Sequence, residues 1–318
     1  MRVQLLFFVR RLLMLAATLL VASFVIFGSL YLAPGNPIAV LSGGRSLPPD
    51  AIKILEHRYH LDEPFLTQYW IWLTNAMHGD LGISITLRED VSILIAQRAG
   101  STAALVLYAA ILIMVFGVGL GLLGGLRPGW IDTGVIVTSA ISAALPAFVA
   151  AIVLIAVFSV GLGWFPSLGS GEGVLDTIYH DTLPAIALAA SSLAIVARVT
   201  RASVREEFGR EHVQTAISRG IPYPALVRRH VLRNAAIPIT TVTGVTIASL
   251  IASAAIVERA FGLNGLGAYL VSAANSKDFA VVQGISLVLV LVFVVVNLIV
   301  DVLYSLIDPR ISLGSRAQ

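Results

Sequence analysis

The 318-residue chain contains no cysteine. Disulfides, a thiol nucleophile and thiolate metal sites are therefore excluded. Lysine is nearly absent too, with only Lys53 and Lys277 beside 19 arginines. A phosphate-cradling P-loop needs glycine directly before lysine, and these two follow Ile52 and Ser276, so that route to nucleotide binding is closed. Charge of either sign is scarce, at 12% of residues against roughly 25% in ordinary soluble domains. With 57% hydrophobic residues and a mean hydropathy of +0.90, water cannot be the only solvent of this chain.

The apolar residues are gathered into blocks of the length, about 20 residues, that a helix needs to cross a bilayer. Six are read, at 12–33, 102–126, 135–162, 183–199, 235–257 and 281–300. An all-α polytopic membrane protein of one transmembrane domain, 1–318, is predicted. The first block follows Arg10 and Arg11 as a signal peptide would, but a signal core runs only about 7 to 15 residues. It is read as a retained anchor. Arginine and lysine in short loops mark the cytoplasmic side. With the N-terminus inside, fourteen of the 21 basic residues fall on inner segments and seven on outer ones, so both termini are expected in the cytoplasm. The net charge of +3 is then a juxtamembrane feature facing lipid headgroups and a protein partner, and nucleic acid is not an expected partner.

The longest outer segment, 34–101, reads as an insertion of short helices. One starts at Pro49 and Asp50 with Ile52, Leu55 and Tyr59 in a stripe, and a second follows Pro64 with Leu66, Tyr69, Leu73 and Met77 on one face. Trp70 and Trp72 suit the headgroup level. His57 and His60 share a helical face, but a metal site wants three or four ligands, so no metal is expected. Gly119-Leu120-Gly121-Leu122-Leu123-Gly124 spells G-x-G-x-x-G, but no strand precedes it, and a dinucleotide site needs that context. Gly117, Gly121 and Gly125 instead recur every four residues, predicting a ridge for close helix packing. Ionisable groups within spans are functional candidates by default. Glu258 and Asp301 stand only near span ends, with Asn297 one turn before Asp301, which leaves a proton relay poorly supported.

The inner loop 200–234 has room for a partner. Val213, Ala216, Ile217 and Gly220 fall at i, i+3, i+4 and i+7, a small apolar face suited to a groove in another protein. Gly220 can end that helix, and Pro222 opposes its continuation. A second amphipathic stretch carries Val227 and Val231 between Arg228, Arg229 and Arg233. Basic helices of this kind also bind lipid surfaces, so the periodicity alone leaves both readings open.

The stretch 211–238 resembles the EAA loop of bacterial ABC-importer permeases, at Glu211, Thr215, Ala216, Gly220, Asn234 and Pro238. Its continuation from Arg229 to Pro238 is similar to the dipeptide, oligopeptide and nickel permeases. Gly79-Asp80-Leu81-Gly82, Val257-Glu258 through Phe261 to Gly265-Leu266-Gly267, and Asp308-Pro309-Arg310 agree in order. Asn264, Lys277, Ile217 and Ser218 depart from the usual residues.

The resemblance implies the type I importer permease fold and the first permease type of a heterodimeric pair. It implies a second homologous permease, two ATPase subunits holding ATP and Mg2+, and an extracytoplasmic binding protein, with no cofactor or catalysis in this chain. Peptides are the implied cargo, and nickel complexes or haem the alternatives. An ion-coupled carrier is the rival of another class, and it should place charges near the bilayer midplane, where this sequence has none.

Overall fold

A computed structural model describes residues 2–32, 48–58 and 62–307. The predicted Tyr59, His60 and Asp308-Pro309-Arg310 lie outside them, as do the side chains of Leu55 and Asp301. Among the described residues the regular secondary structure is helical, apart from one isolated antiparallel bridge between Ile83 and Asp90. The helices are α1 Arg2–Leu32, α2 Pro49–Arg58 and α3 Phe65–Met77, then α4 Val91–Leu126, α5 Trp130–Ala144 and α6 Ala147–Gly161. There follow α7 Val174–Gly209 and α8 Glu211–Ser218, α9 Tyr223–Ala260, α10 Leu266–Asn275 and α11 Phe279–Ile307.

Five helical stretches are long and apolar enough to cross a membrane, within α1, α4, α7, α9 and α11. The third predicted block is not a straight span. It divides into α5 and α6, bent by 101°, and at 15 residues each they reach only about 22 Å, short of the ~30 Å hydrocarbon core. The cause is local. Pro146 lacks an N–H and crowds the residue before it, and Leu145 is accordingly extended at φ −88°, ψ 114°. Counted as one broken span, the pair makes six.

The helices also outrun the predicted blocks. α4 begins at Val91 rather than at Thr102, and α7 runs 36 residues, about 54 Å, so its ends reach well past the apolar block 183–199. Residues 200–209 continue that helix instead of forming loop. α9 starts at Tyr223 and carries Pro238 within it, with π-helical hydrogen bonding at Val227–Val231. π-Helical turns also interrupt α4 at Ile113–Val118 and α6 at Ile155–Gly161.

The described residues fall into two compact units. One comprises 101–268 with 2–8 and 295–307, and its core is built on α7, which presents Ala185, Ala187, Ala189, Ala194 and Ala197 in fully buried positions. Apolar transfer gives no drive between helices surrounded by lipid, so close van der Waals packing through small residues holds them. A Cβ on Gly117 would meet Leu193 and Val196, one on Gly121 would meet Ala197 and Thr200, and one on Gly125 would meet Arg201 and Val204. Each step of four on α4 thus matches a step of four on α7. Asp132 of α5 pairs with Arg201 and with Arg205 of α7, the latter at 2.8 Å, and Arg198 Nη2 donates to the Ser139 carbonyl at 3.1 Å.

Glu258, near the end of α9, is fully buried. Its carboxylate accepts from Thr102 Oγ1 at 2.7 Å and from the Ala268 N–H at 2.9 Å. Thr102 Oγ1 in turn accepts from the Leu266 N–H at 2.8 Å. A Cβ on Gly265 would sit 2.2 Å from the Glu258 carboxyl carbon. The Val257-Glu258 and Gly265-Leu266-Gly267 segments therefore form one buried, hydrogen-bonded corner, and no proton pathway is needed to account for this carboxylate.

The other unit comprises 9–100 and 269–294. In α3 it is Phe65, Tyr69 and Trp72 that meet Phe24 and Phe27 of α1, with ring centroids 5.2 to 5.7 Å apart for Phe24–Tyr69, Phe24–Phe65 and Phe27–Trp72. Tyr69 Oη lies 2.9 Å from Ser23 Oγ. The predicted stripe is corrected accordingly, because Leu66 and Met77 are exposed and it is Phe65 and Trp72 that join the buried Tyr69 against α1. Asp278 is buried and accepts from Ser84 Oγ at 2.6 Å and from the Thr86 N–H at 3.0 Å, which ties the turn after Gly79-Asp80-Leu81-Gly82 to the start of α11. His57 pairs with Asp62 at 3.1 Å.

Candidate coupling site

The sequence-predicted partner loop folds as α8 between the end of α7 and the start of α9. Arg210 is extended at φ −75°, ψ 145° and breaks the chain from α7. Gln214 Nε2 reaches back to the Phe208 carbonyl at 2.8 Å, closing the break. At the other end the Ile221 N–H donates to the Ala216 carbonyl at 3.2 Å and the Gly220 N–H to the Ile217 carbonyl at 2.9 Å. Gly220 itself sits at φ +72°. This is the Schellman arrangement, whose left-handed residue strongly favours glycine. Pro222, extended at φ −58°, ψ 141°, then starts α9.

Burial reverses part of the expected role of α8. Val213 and Ala216 are buried in a cluster with Val204, Leu226, Val231 and Ala235 of their own chain. They cannot be the face offered to another protein. The apolar half of this amphipathic helix anchors it, because the turn at Gly220 folds α9 back over it. Glu211, Thr215 and Gly220 are exposed, and so is Ile217 at 48%. Ile217 is thus the large apolar group α8 leaves uncovered. Val227 and Val231, expected on a stretch along the membrane surface, are also buried within the chain.

Asn234 and Pro238 lie on the exposed side of α9. They line a cavity of about 520 Å³ together with Ser203, Glu206, Glu207, Arg210, His212, Ala235 and Ile237. Glu207 is buried. Its Oε1 pairs with Arg210 Nε at 2.9 Å, and Arg210 Nη2 also reaches Glu206 Oε1 at 3.0 Å. Asn234 Nδ2 donates to the His230 carbonyl at 3.0 Å and lies 3.1 Å from His212 Nε2. Sequence reasoning singled out Asn234 and Pro238 but not Glu207, Arg210 or His212. The i, i+3 and i, i+4 spacings from Glu207 and Glu206 to Arg210 were visible, yet such pairs are common on solvated helices. Among the described residues no group of three or more His, Cys, Asp or Glu is placed to hold a metal ion.

Known proteins resemble this chain over most of its length. Residues 117–313 match the family described as binding-protein-dependent transport system inner membrane component, and residues 4–106 match the N-terminal membrane component of the same systems. The glutathione transport system permease protein GsiC of Pectobacterium atrosepticum is 35% identical over 307 residues, covering 96% of this chain and 98% of that protein. Its counterpart in Escherichia coli K12 is 33% identical over 304 residues, covering 95% and 97%. Among solved structures, an inward-facing MetNI methionine ABC transporter matches with a TM-score of 0.54 at 18% identity, covering 68% of this chain and 96% of that chain. That likeness gives the fold, the type I importer permease. The chain belongs to the binding-protein-dependent transport system inner membrane component family, as a non-catalytic, multi-pass permease subunit of a bacterial inner-membrane ABC importer.

Proposed function

We propose that this permease imports glutathione or a short peptide of similar size, in a heterodimer with a second, homologous permease. Two ATPase subunits, which hold ATP and Mg2+, drive it, and an external binding protein delivers the cargo. The observation that carries the cargo reading is end-to-end similarity to permeases named for glutathione transport, at 35% identity over 96% of the chain. The excess of arginine on the segments 198–233 supports an N-in, C-in orientation with α8 in the cytoplasm.

The mechanism follows from how α8 is held. ATP closes the two ATPases on each other, and a helix seated on them moves with their surface. Val213 and Ala216 are packed under α9, so α8 moves as a rigid extension of the helices it is packed on. The exposed side, with Glu211, Thr215, Ile217 and Gly220, meets the ATPase. Asn234 and Pro238 form the adjoining wall. Displacement of α8 thereby alternates access to the pathway between the two sides of the membrane.

The test is uptake by the purified complex in proteoliposomes with its binding protein present. Glutathione, a dipeptide and a pentapeptide are offered separately. ATP-dependent accumulation and stimulated ATP hydrolysis are expected with glutathione or the dipeptide. Failure of both to do either, under conditions where the complex hydrolyses ATP, removes the cargo reading.

A further inference from the structure

The inner ends of α5 and α7 hold more arginine than their carboxylate can neutralise. Arg198, Arg201 and Arg205 fall at i, i+3 and i+7 of α7, on one helical face, and that face leans on α5 within a single unit. Asp132 of α5 takes Arg201 through both carboxylate oxygens and also takes Arg205 Nη2, at 2.8 Å. Arg198 Nη2 donates instead to the Ser139 carbonyl, at 3.1 Å, and among the described residues no carboxylate pairs with Arg198. Three guanidiniums thus share one carboxylate. All three keep accessible surface: Arg198 is exposed, and the side chains of Arg205 and Arg201 are 37% and 23% exposed.

Depth decides what can reach them. The apolar block of α7 ends at 199, so Arg198 stands at its edge, with Arg201 and Arg205 about 3 and 9 Å beyond it along the axis. Headgroups occupy roughly 6 Å outside each face of the hydrocarbon core. Asp132, just before the block that opens at 135, draws both outer arginines into that layer. Trp130, 85% exposed at the start of α5, suits the same layer. Apolar groups adjoin the guanidiniums on the hydrocarbon side. Ile195 precedes Arg198 by one turn, Ile136 lies within one turn of both Asp132 and Ser139, and both isoleucines are exposed.

We infer that this seam between α5 and α7 binds the phosphate of an anionic phospholipid in the inner leaflet. A guanidinium fork matches phosphate oxygens. Asp132 and Ser139 hold the three arginines in place before a headgroup arrives, so little rotamer freedom is left to lose. A free phosphate would meet the guanidiniums and leave Ile195 and Ile136 bare, whereas a lipid covers them with its acyl chains. The excess of positive charge selects an anionic headgroup over a zwitterionic one.

The choice of leaflet rests on the N-in orientation, but binding in nanodiscs does not. The importer complex, with its permeases and ATPases, is placed in nanodiscs carrying a trace of photoreactive phosphatidylglycerol or of photoreactive phosphatidylcholine. After illumination, mass spectrometry is expected to map phosphatidylglycerol adducts to the inner ends of α5 and α7, in excess over phosphatidylcholine by roughly fivefold for each arginine engaged. Arg198→Gln combined with Arg205→Gln, which leaves the Arg201–Asp132 pair in place, should abolish that excess. Arg228→Gln combined with Arg229→Gln, an equal loss of charge at exposed positions of α9, should keep it. Equal labelling by the two lipids overturns the inference, as does an equal loss in both double variants, which would mean diffuse surface charge. A seam free of adducts from either lipid is covered by protein, and the inference falls. Loss of the adduct in inorganic phosphate but not in chloride of equal ionic strength would assign the arginines to a free anion and also overturn it. Should the Arg198 and Arg205 pair of substitutions prevent assembly, the lipid preference and its mapped position in the unaltered chain still decide.

Discussion

At the scale of single residues, tolerance is set by what stands opposite a missing Cβ. A methyl on Gly121 would lie 2.5 Å from Thr200 Cβ and 2.6 Å from the Ala197 carbonyl oxygen. Backbone cannot yield there, and overpacking of this kind costs about 1–3 kcal/mol. Gly119 has nothing within 4 Å, and alanine in an open helical position gains up to about 1 kcal/mol. Gly121→Ala should lower the thermal unfolding midpoint of the detergent-purified permease, and Gly119→Ala should leave it level or raise it. Equal shifts would remove the packing account of the glycine ridge. This ridge was legible because both helices repeat every four residues. The Glu258 corner was not, since Thr102 and Glu258 stand 156 residues apart and no local period links them. Burial likewise decides which charged groups matter. Glu207 and Glu206 adjoin in sequence, yet their side chains are 8% and 71% exposed.

At the scale of elements, periodicity reports that a helix has an apolar face and not whose surface covers it. The pattern at Val213, Ala216 and Ile217 was correctly amphipathic. Whether lipid, a partner or the chain itself lay against it depended on the turn at Gly220 and the path of α9, which are tertiary facts. The same holds for α3, where the stripe at Leu66, Tyr69 and Met77 and the one at Phe65, Tyr69 and Trp72 are both helical, and only the aromatic one meets α1. The break at Pro146 was legible in principle from proline chemistry, but an unbroken apolar block hid it. A pair of substitutions separates the two faces of α8. Val213→Arg puts a charge into a fully buried apolar site, which costs several kcal/mol, so the permease should fail to accumulate in the membrane. Ile217→Arg changes an exposed group and should leave expression and unfolding unchanged while weakening ATPase association. Loss of folding by both, measured as monodisperse yield, would show that Ile217 is structural as well.

At the scale of the whole molecule, the fold class followed from composition and block length, whereas the helix ends did not. Hydropathy ends where the hydrocarbon ends, but backbone hydrogen bonding continues the helix into the headgroups and beyond. α7 extends about 54 Å and leaves roughly 24 Å to stand outside a ~30 Å core. Arg198, Arg201 and Arg205 lie towards its C-terminal end. Retained arginine marks the cytoplasmic face, and orientation then follows for every other segment by alternation, with the bent pair α5–α6 returning as one span. The absence of cysteine makes this directly measurable, because any introduced thiol is the sole thiol of the chain. His78→Cys and Glu172→Cys, at exposed positions between predicted spans, should react with a membrane-impermeant maleimide in intact spheroplasts. Arg228→Cys should react only after the membrane is opened. The inverse pattern would place α8 outside, beyond reach of any ATPase. Labelling of His78→Cys and Arg228→Cys but not of Glu172→Cys in sealed cells would mean that α5–α6 enters and leaves by the same face, making five spans and putting the two ends of the chain on opposite sides.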